Sequence, residues 1–360
     1  MKAAIRTDVS SEIGTGHFMR CLTLANALKQ RKVHIHFVSR HLPRYLRDIL
    51  SVEGHEFTLI NSPPDERLLD EITHTPWLGI SQEQDAENSV HALSRELWDW
   101  LIVDHYALDF RWESRLRGVT KNILVIDDIA DRNHDCDILL DQNYCNDAKA
   151  RYVDRVPAHC QLLLGPRYGI LREEFMRLRE QVKTRSGDVR RILVFLGGID
   201  ANNDTGRVVE ALTMTELSSV HVDVVIGTLH PCRESIEEAC ARSGFVCHVQ
   251  TDKMAELMAT ADMAIGAVGG ATLERCSMGV PSVVLVLSEN QRKAAVDLDE
   301  AGVLINLGDA KGVSVKKLKD SIESLINSEK LRSGLSEASL KLVSMLKENN
   351  VAEIMIKYNA

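Results

Sequence analysis

The chain has 360 residues, of which 44% are hydrophobic and 26% charged, and a formal net charge of −9. That length accommodates two domains of ordinary size, and the composition is that of a soluble globular protein. An acidic balance without a long basic run argues against nucleic acid as the main partner, but leaves small anionic ligands open because a site can be locally basic.

Met1-Lys2-Ala3 leads straight into a first strand at Ala3-Ala4-Ile5, with no signal peptide, and no apolar run along the chain has transmembrane length. The expected location is the cytoplasm, without membrane insertion. The next stretch, Arg6 to Cys21, carries Gly14, Gly16 and then His17, and precedes a predicted helix over 18–30 with Leu22, Ala25 and Leu28 at helical spacing. Two glycines let the backbone turn sharply and come close to a ligand. A histidine in the first turn of a helix feels the positive end of the macrodipole, which disfavours the imidazolium. A neutral imidazole is what a general base near neutral pH needs. The loop therefore reads in two ways: a turn presenting backbone amides and a base to a ligand, or a plain strand-to-helix turn with a capping histidine. A dinucleotide site fits less well. Met19 stands where the third glycine of GxGxxG belongs, and the next strand ends at Ser39-Arg40 without a carboxylate for a ribose.

Further along, 33–38 reads as a strand, 43–52 as a helix and 57–60 as strand-like, and Pro63-Pro64 opens a polar stretch. A helix over 83–98 precedes a strand over 100–103 that ends in Asp104-His105-Tyr106. A strand over 122–126 ends in Asp127-Asp128. Alternation of this kind implies a parallel sheet covered by helices, with ligands gathering at the carboxyl ends of the strands. His17, Asp104, His105, Tyr106, Asp127 and Asp128 share that address. Singly, each aspartate reads more simply as a helix cap, and Tyr106 as a packed ring.

Residues 144–190 break the alternation. Leu164-Gly165-Pro166 is followed by Arg167 and Tyr168, then by Arg172 at the start of an amphipathic helix containing Phe175. Guanidinium suits phosphate, although a lone Arg on a solvated helix face is commoner. Ser186-Gly187-Asp188 marks a linker. A second alternating unit runs from Arg191 to Gly308. Its strand over 192–196 leads to Gly197-Gly198-Ile199-Asp200, and Asp204-Thr205 starts a helix. Strands over 222–226 and 245–249 follow. The strand over 262–266 leads to Gly269-Gly270-Ala271-Thr272-Leu273-Glu274, and the one over 281–287 to Ser288-Glu289-Asn290-Gln291; 303–307 is the last. Amides at Gly269-Gly270, between a strand and a helix, favour a diphosphate. Glu274, one turn on, either accepts from ribose hydroxyls or merely complements the helix dipole. Residues 311–360 read as helical, with the segment from Val351 expected to pack back on the first domain. The expected division is 1–185, 186–345 and 346–360.

The eight cysteines form no CxxC pair, and the thirteen histidines contain no HExxH. Reduced thiols are expected, and neither a zinc site nor a disulfide framework. His34 and His36 alternate on one strand and are expected to share a solvated face.

Two doubly wound, Rossmann-like domains facing a cleft, with the nucleotide loop in the second, resemble the GT-B architecture of nucleotide-sugar glycosyltransferases. Gly269-Gly270-Ala271-Thr272-Leu273-Glu274 through Gly279-Val280-Pro281 resembles the nucleotide segment of the MurG type. Adding Arg6-Thr7-Asp8, Gly14-Thr15-Gly16-His17 and Met19-Arg20-Cys21-Leu22 makes the chain similar to the PseG family of UDP-2,4-diacetamido-2,4,6-trideoxy-β-L-altropyranose hydrolases. Asp104-His105-Tyr106, Asp127-Asp128 with Asp141-Gln142-Asn143, Leu164-Gly165-Pro166 to Phe175, and Glu289-Asn290-Gln291 carry the same likeness, which covers roughly residues 2 to 305. The resemblance implies that water replaces UDP at the anomeric carbon with inversion and without metal or cofactor. The product would be the free sugar of pseudaminic acid biosynthesis, used in flagellin glycosylation or surface polysaccharide. It implies His17 as catalytic base, and Gly14, Gly16, Tyr106, Arg167, Arg172 and Asn290 as sugar contacts. Gly197, Gly198, Gly269, Gly270, Thr272 and Glu274 would hold UDP. Ile199 departs from the small polar residue expected in its loop. The implied partner is a small UDP-sugar only, with no nucleic acid, and the chain would be a monomer. A glycosyltransferase would use the same base and loop on an acceptor hydroxyl. A non-catalytic nucleotide-sugar binder would keep Glu274 and the glycine loop without needing His17.

Overall fold

The computed structural model describes residues 1–10, 12–60, 74–346 and 350–358, so the Pro63-Pro64 stretch lies outside the described residues. The chain forms two units, Met1–Ile170 with Lys347–Ala360, and Leu171–Leu346.

The first unit is built on seven parallel strands: β1 (Lys2–Thr7), β2 (His34–Ser39), β3 (Glu56–Leu59), β4 (Trp98–Asp104), β5 (Thr120–Ile126), β6 (Ile138–Asp141) and β7 (Gln161–Leu164). Their spatial order is β3-β2-β1-β4-β5-β6-β7. The second has six: β8 (Arg191–Phe195), β9 (His221–Ile226), β10 (Val246–Val249), β11 (Met263–Ala267), β12 (Ser282–Val286) and β13 (Ile305–Asp309), ordered β10-β9-β8-β11-β12-β13. Central strands of such sheets are covered on both faces and so carry unbroken apolar runs. Ala3, Ala4 and Ile5 of β1 are fully buried, as are Met263 and Ile265 of β11. Alternate residues serve opposite faces. Ala3 and Ile5 join Phe18, Leu22 and Leu28 in one core, while Ala4, Leu101 and Val103 join Trp112 and Leu116 in the other.

Two boundaries differ from the expected division. Helix Glu173–Arg179 buries Phe175 with Leu193, Met258 and Met278. Residues 171–185, expected in the first domain, therefore belong to the second unit. Residues 144–190, expected to break the alternation, contribute β7, which extends the sheet beyond β6. Those two strands are only four residues long and Leu-rich, with Ile138 their one β-branched residue, so they carry little of the signal by which strands are recognised. Helix Val351–Tyr358 lies on the first unit, with Val351, Ala352 and Met355 buried beside Trp100 and Leu28. Trp100 Nε1 donates to the Met355 carbonyl at 3.2 Å.

Candidate functional site

In each sheet the strand order reverses once, between β1 and β4 and between β8 and β11. Ligands of open α/β sheets bind outside the carboxyl ends of the strands at such a switch point. The loop to His17 leaves β1, and Asp104 ends β4, with Thr7 and Asp104 in register. The Gly197-Gly198 loop leaves β8, and the Gly269-Gly270 loop leaves β11. The topology thus delivers His17 and the two glycine pairs to switch points, whereas Arg167 and Arg172 follow β7 and Asn290 follows β12.

At the first, helix Gly16–Gln30 packs through Phe18, Cys21, Leu22, Ala25 and Leu28, a helical stripe that fixes which way its first turn points. His17 follows in that turn, 8% exposed. Its Nδ1 lies 2.6 Å from Asp104 Oδ1. Arg20, one turn further, grips the same carboxylate through Nε (2.5 Å) and Nη2 (2.7 Å), and reaches Asp128 with Nη1 at 3.0 Å. Burial alone would raise the Asp104 carboxyl; the Arg20 guanidinium and His17 outweigh it and hold Asp104 well below the usual carboxylate range. An ionised Asp104 only accepts, so Nδ1 carries the proton. Arg20 Nη2 also lies 3.3 Å from Nδ1, but that contact would need a lone pair there, and the shorter carboxylate bond decides. With Nδ1 the donor, the lone pair of the neutral ring is on Nε2, the arrangement of an oriented general base.

Tyr106 meets the His17 ring edge-on at 4.5 Å, and Trp77 stacks on Tyr106 at 5.5 Å. Tyr106 is 3% exposed, and its hydroxyl donates to Asp128. Its ring is thus packed against the imidazole, with its hydroxyl turned to Asp128. Asp128 also accepts from Asn143 Nδ2 at 3.2 Å. Asp104 and Asp128 are thus partners of Arg20 rather than the helix caps expected of most of these aspartates. Asp127 accepts from the Ala130 amide at 2.9 Å, a loop bond. Nearby, Asp141 sits among Tyr152 OH (3.1 Å) and Arg151 Nη1 (2.9 Å). Burial and the charge of Asp128 push it up to about 7.

Beneath the loop lies a buried set of charges. Arg6 bonds Asp85 through Nε (3.2 Å) and Nη2 (2.8 Å), and its Nη1 lies 2.8 Å from Asp8. Arg40 reaches Asp85 at 3.1 Å, and Asp8 accepts from the amides of Arg40 and His41. The network ties the end of β1 to that of β2. Gly14 takes φ +75°, a backbone conformation that favours glycine. Gly16 is exposed at the helix start. Arg167 stacks on Tyr168, 4.9 Å from the ring centroid, and is exposed.

In the second unit, Gly197 takes φ +120°. A Cβ on Gly227 would come within 2.0 Å of the Gly198 carbonyl, so these two backbones touch. Asp200 closes that loop by accepting from the amides of Asp204 (3.0 Å) and Thr205 (2.7 Å). After β11, Gly269 (φ +155°) and Gly270 are exposed, and helix Gly270–Ser277 begins. Thr272 Oγ1 accepts from the Gly269 amide at 3.1 Å. That hydroxyl therefore shapes the turn, while the amides of Gly270 and Ala271, the first of the helix, carry no hydrogen bond among the described residues. Glu274 accepts from Arg172 Nε at 2.9 Å, and Arg172 also meets Glu174 at 2.9 Å. Burial raises Glu274, and Arg172 opposes the rise. The two predicted ligand residues Glu274 and Arg172 therefore hold each other. Asn290 is exposed and accepts from Ser288 Oγ at 2.5 Å.

Sequence reasoning passed over Arg20, Trp77 and Arg275. Arg20 had one local signal, its place three residues after His17 on one helix face. Its partners Asp104 and Asp128 are 84 and 108 residues away, which no local pattern reveals.

No family model matches the chain. It is 26% identical over 305 residues to the uncharacterized protein MJ1062 of Methanocaldococcus jannaschii, a match spanning 82% of this chain and 58% of that protein. It is 28% identical over 222 residues to the UDP-2,4-diacetamido-2,4,6-trideoxy-beta-L-altropyranose hydrolase of Campylobacter jejuni, covering 61% of this chain and 69% of that one. With the spore coat polysaccharide biosynthesis protein SpsG of Bacillus subtilis it shares 25% identity over 95% of its length and 94% of the other's. Among solved structures, MurG of Acinetobacter baumannii superimposes with a TM-score of 0.64 at 15% identity, covering 99% of both chains. UGT2 of Phytolacca americana, complexed with UDP-2fluoro-glucose and pterostilbene, gives 0.69 at 12% identity, covering 99% of this chain and 98% of that one. Two parallel-sheet α/β units of seven and six strands, matched over nearly the whole chain by such structures, give this protein the fold of the GT-B glycosyltransferases.

Proposed function

We propose that this chain is an enzyme acting on a UDP-sugar, and that its reaction is hydrolysis of UDP-2,4-diacetamido-2,4,6-trideoxy-β-L-altropyranose to UDP and the free sugar. The observation that carries the reading is the His17–Asp104 contact of 2.6 Å, clamped by Arg20. It fits an imidazole whose Nε2 takes a proton from water as the oxygen attacks the anomeric carbon. The bond to the UDP oxygen breaks on the opposite face, which inverts the centre. Glycosyl cleavage passes through an oxocarbenium-like transition state, and UDP leaves readily, so an acid on the leaving side is less needed than in ordinary glycosidases. The amides of the Gly269-Gly270 turn would take up charge as UDP departs. The named hydrolase among the relatives supports the choice of reaction and sugar.

A second reading is transfer to an acceptor hydroxyl, with the same base. The glycosyltransferase structures of the same fold favour it. The test is NMR-monitored incubation of a panel of UDP-diacetamido sugars without any acceptor, with and without a chelator. The expected result is stoichiometric UDP and the inverted free sugar, unaffected by the chelator. An intact UDP-sugar in the absence of acceptor defeats the hydrolase and favours the transferase.

A further inference from the structure

Arg275 lies in the helix that begins at Gly270, 3% exposed, with no carboxylate at ion-pair distance among the described residues. Its Nη2 turns back to the start of its own helix, donating to the Ala267 carbonyl at 2.7 Å and to Thr272 Oγ1 at 3.1 Å. Thr272 Oγ1 is the atom that takes the Gly269 amide. The guanidinium is therefore lodged under the Gly269-Gly270 turn. Glu274 pairs with Arg172 and acts on Arg275 only beyond ion-pair distance. Room for Arg275 is built into β11. A Cβ on Gly266 would lie 2.7 Å from Arg275 Nη1 and 2.9 Å from the Phe195 carbonyl.

This placement is unfavourable twice over. Burial disfavours a charged guanidinium, and draws Arg275 down to about 10. The positive end of the helix dipole is the wrong end for a cation. Arg185 shows the contrast. It too lacks a carboxylate among the described residues, but its Nη2 lies against the carbonyls of Met258, Ala259 and Met278, near helix ends that welcome a cation. A cation held at a helix N-terminus, beside the unbonded amides of Gly270 and Ala271, becomes favourable when an anion sits on the turn.

We propose that Arg275 is an electrostatic anchor for the phosphates of a nucleoside diphosphate, acting from beneath the turn through Thr272 and the Ala267 carbonyl. The inference rests on the reading of this loop as the UDP site. It is tested by calorimetric titration of the full chain and of Arg275→Met and Arg275→Lys with UDP and with uridine, together with unliganded thermal unfolding. Arg275→Met is expected to weaken UDP at least about tenfold while uridine changes less than about twofold, and to melt no lower than the wild type, since an uncompensated buried charge is gone. Arg275→Lys is expected to keep UDP affinity within about threefold. Unchanged UDP affinity in Arg275→Met, or equal losses for UDP and uridine, overturns the inference alone. So does a failure of Arg275→Met to fold, or Arg275→Lys weakening UDP as much as Arg275→Met does, because the guanidinium is then a brace. Absence of UDP binding by the wild type overturns the reading of the loop, and this inference with it.

Discussion

The two switch points are built on opposite electrostatic plans. In the first unit every cation near the loop has a carboxylate: Arg6 and Arg40 share Asp85, Asp8 faces Arg6, and Arg20 lies between Asp104 and Asp128. In the second, Arg275 beneath the turn makes no ion pair among the described residues. A closed set of buried ion pairs rigidifies what it touches, because removing one member strands the others. That suits a group whose direction must be fixed before substrate arrives. An open set suits a place where charge arrives with the ligand. The comparison separates orientation from binding, and each half can be broken alone.

The largest break is His17→Ala. It should lower turnover at least about a hundredfold, the usual scale for a general base, with UDP affinity nearly unchanged; kcat by UDP release and calorimetry check both. Full activity in this variant removes His17 from the chemistry. Asp104→Asn should cost roughly tenfold to a hundredfold in kcat, the scale for carboxylates that orient a metal-ligating imidazole. Nitrogen NMR of His17 should show Nδ1–H giving way to a mixture, and an unchanged spectrum would separate Asp104 from the tautomer. Glu274→Ala should sharpen the other half, weakening UDP by about tenfold, a single hydrogen bond's worth, with kcat at saturation little altered. Equal UDP affinity would place the ribose elsewhere.

The smallest effect concerns Asp141, whose carboxyl is raised from its ordinary 3.8 to about 7. In that window the folded chain holds a proton that the unfolded chain has lost. Stability contributed by the protonated group is complete below about 4 and is lost as the pH rises towards about 7. Thermal unfolding of the wild type should decline across that window relative to Asp141→Asn, by roughly 1 kcal/mol once Arg151 and relaxation absorb part of the penalty. Parallel curves would show that the carboxyl is not protonated there.

The sheet-forming part of the chain was legible because its strands are apolar and bounded by turn residues. The expected strand over 33–38 is His34–Ser39, and that over 222–226 is His221–Ile226. His17 and the Gly269-Gly270 turn were legible for the same reason, since each follows such a strand. Side-chain partnerships were not. Asp104 reads locally as a cap, and only the placing of β4 beside β1 turns it towards His17. Nothing in the local sequence singles out Arg275. Only Gly266, which a strand pattern does not ask for, hints that something needs its space.

Helix Val351–Tyr358 has a consequence for how the protein is made. The cover of Trp100 is synthesised some 255 residues after it. Burying Val351 and Met355 is worth about 1.5–3 kcal/mol each, so the first globule stays unfinished on the ribosome until helix Val351–Tyr358 emerges. The later globule, contiguous from Leu171 to Leu346, can mature ahead of it, and a nascent chain halted before residue 351 should expose the indole of Trp100 to solvent quenchers.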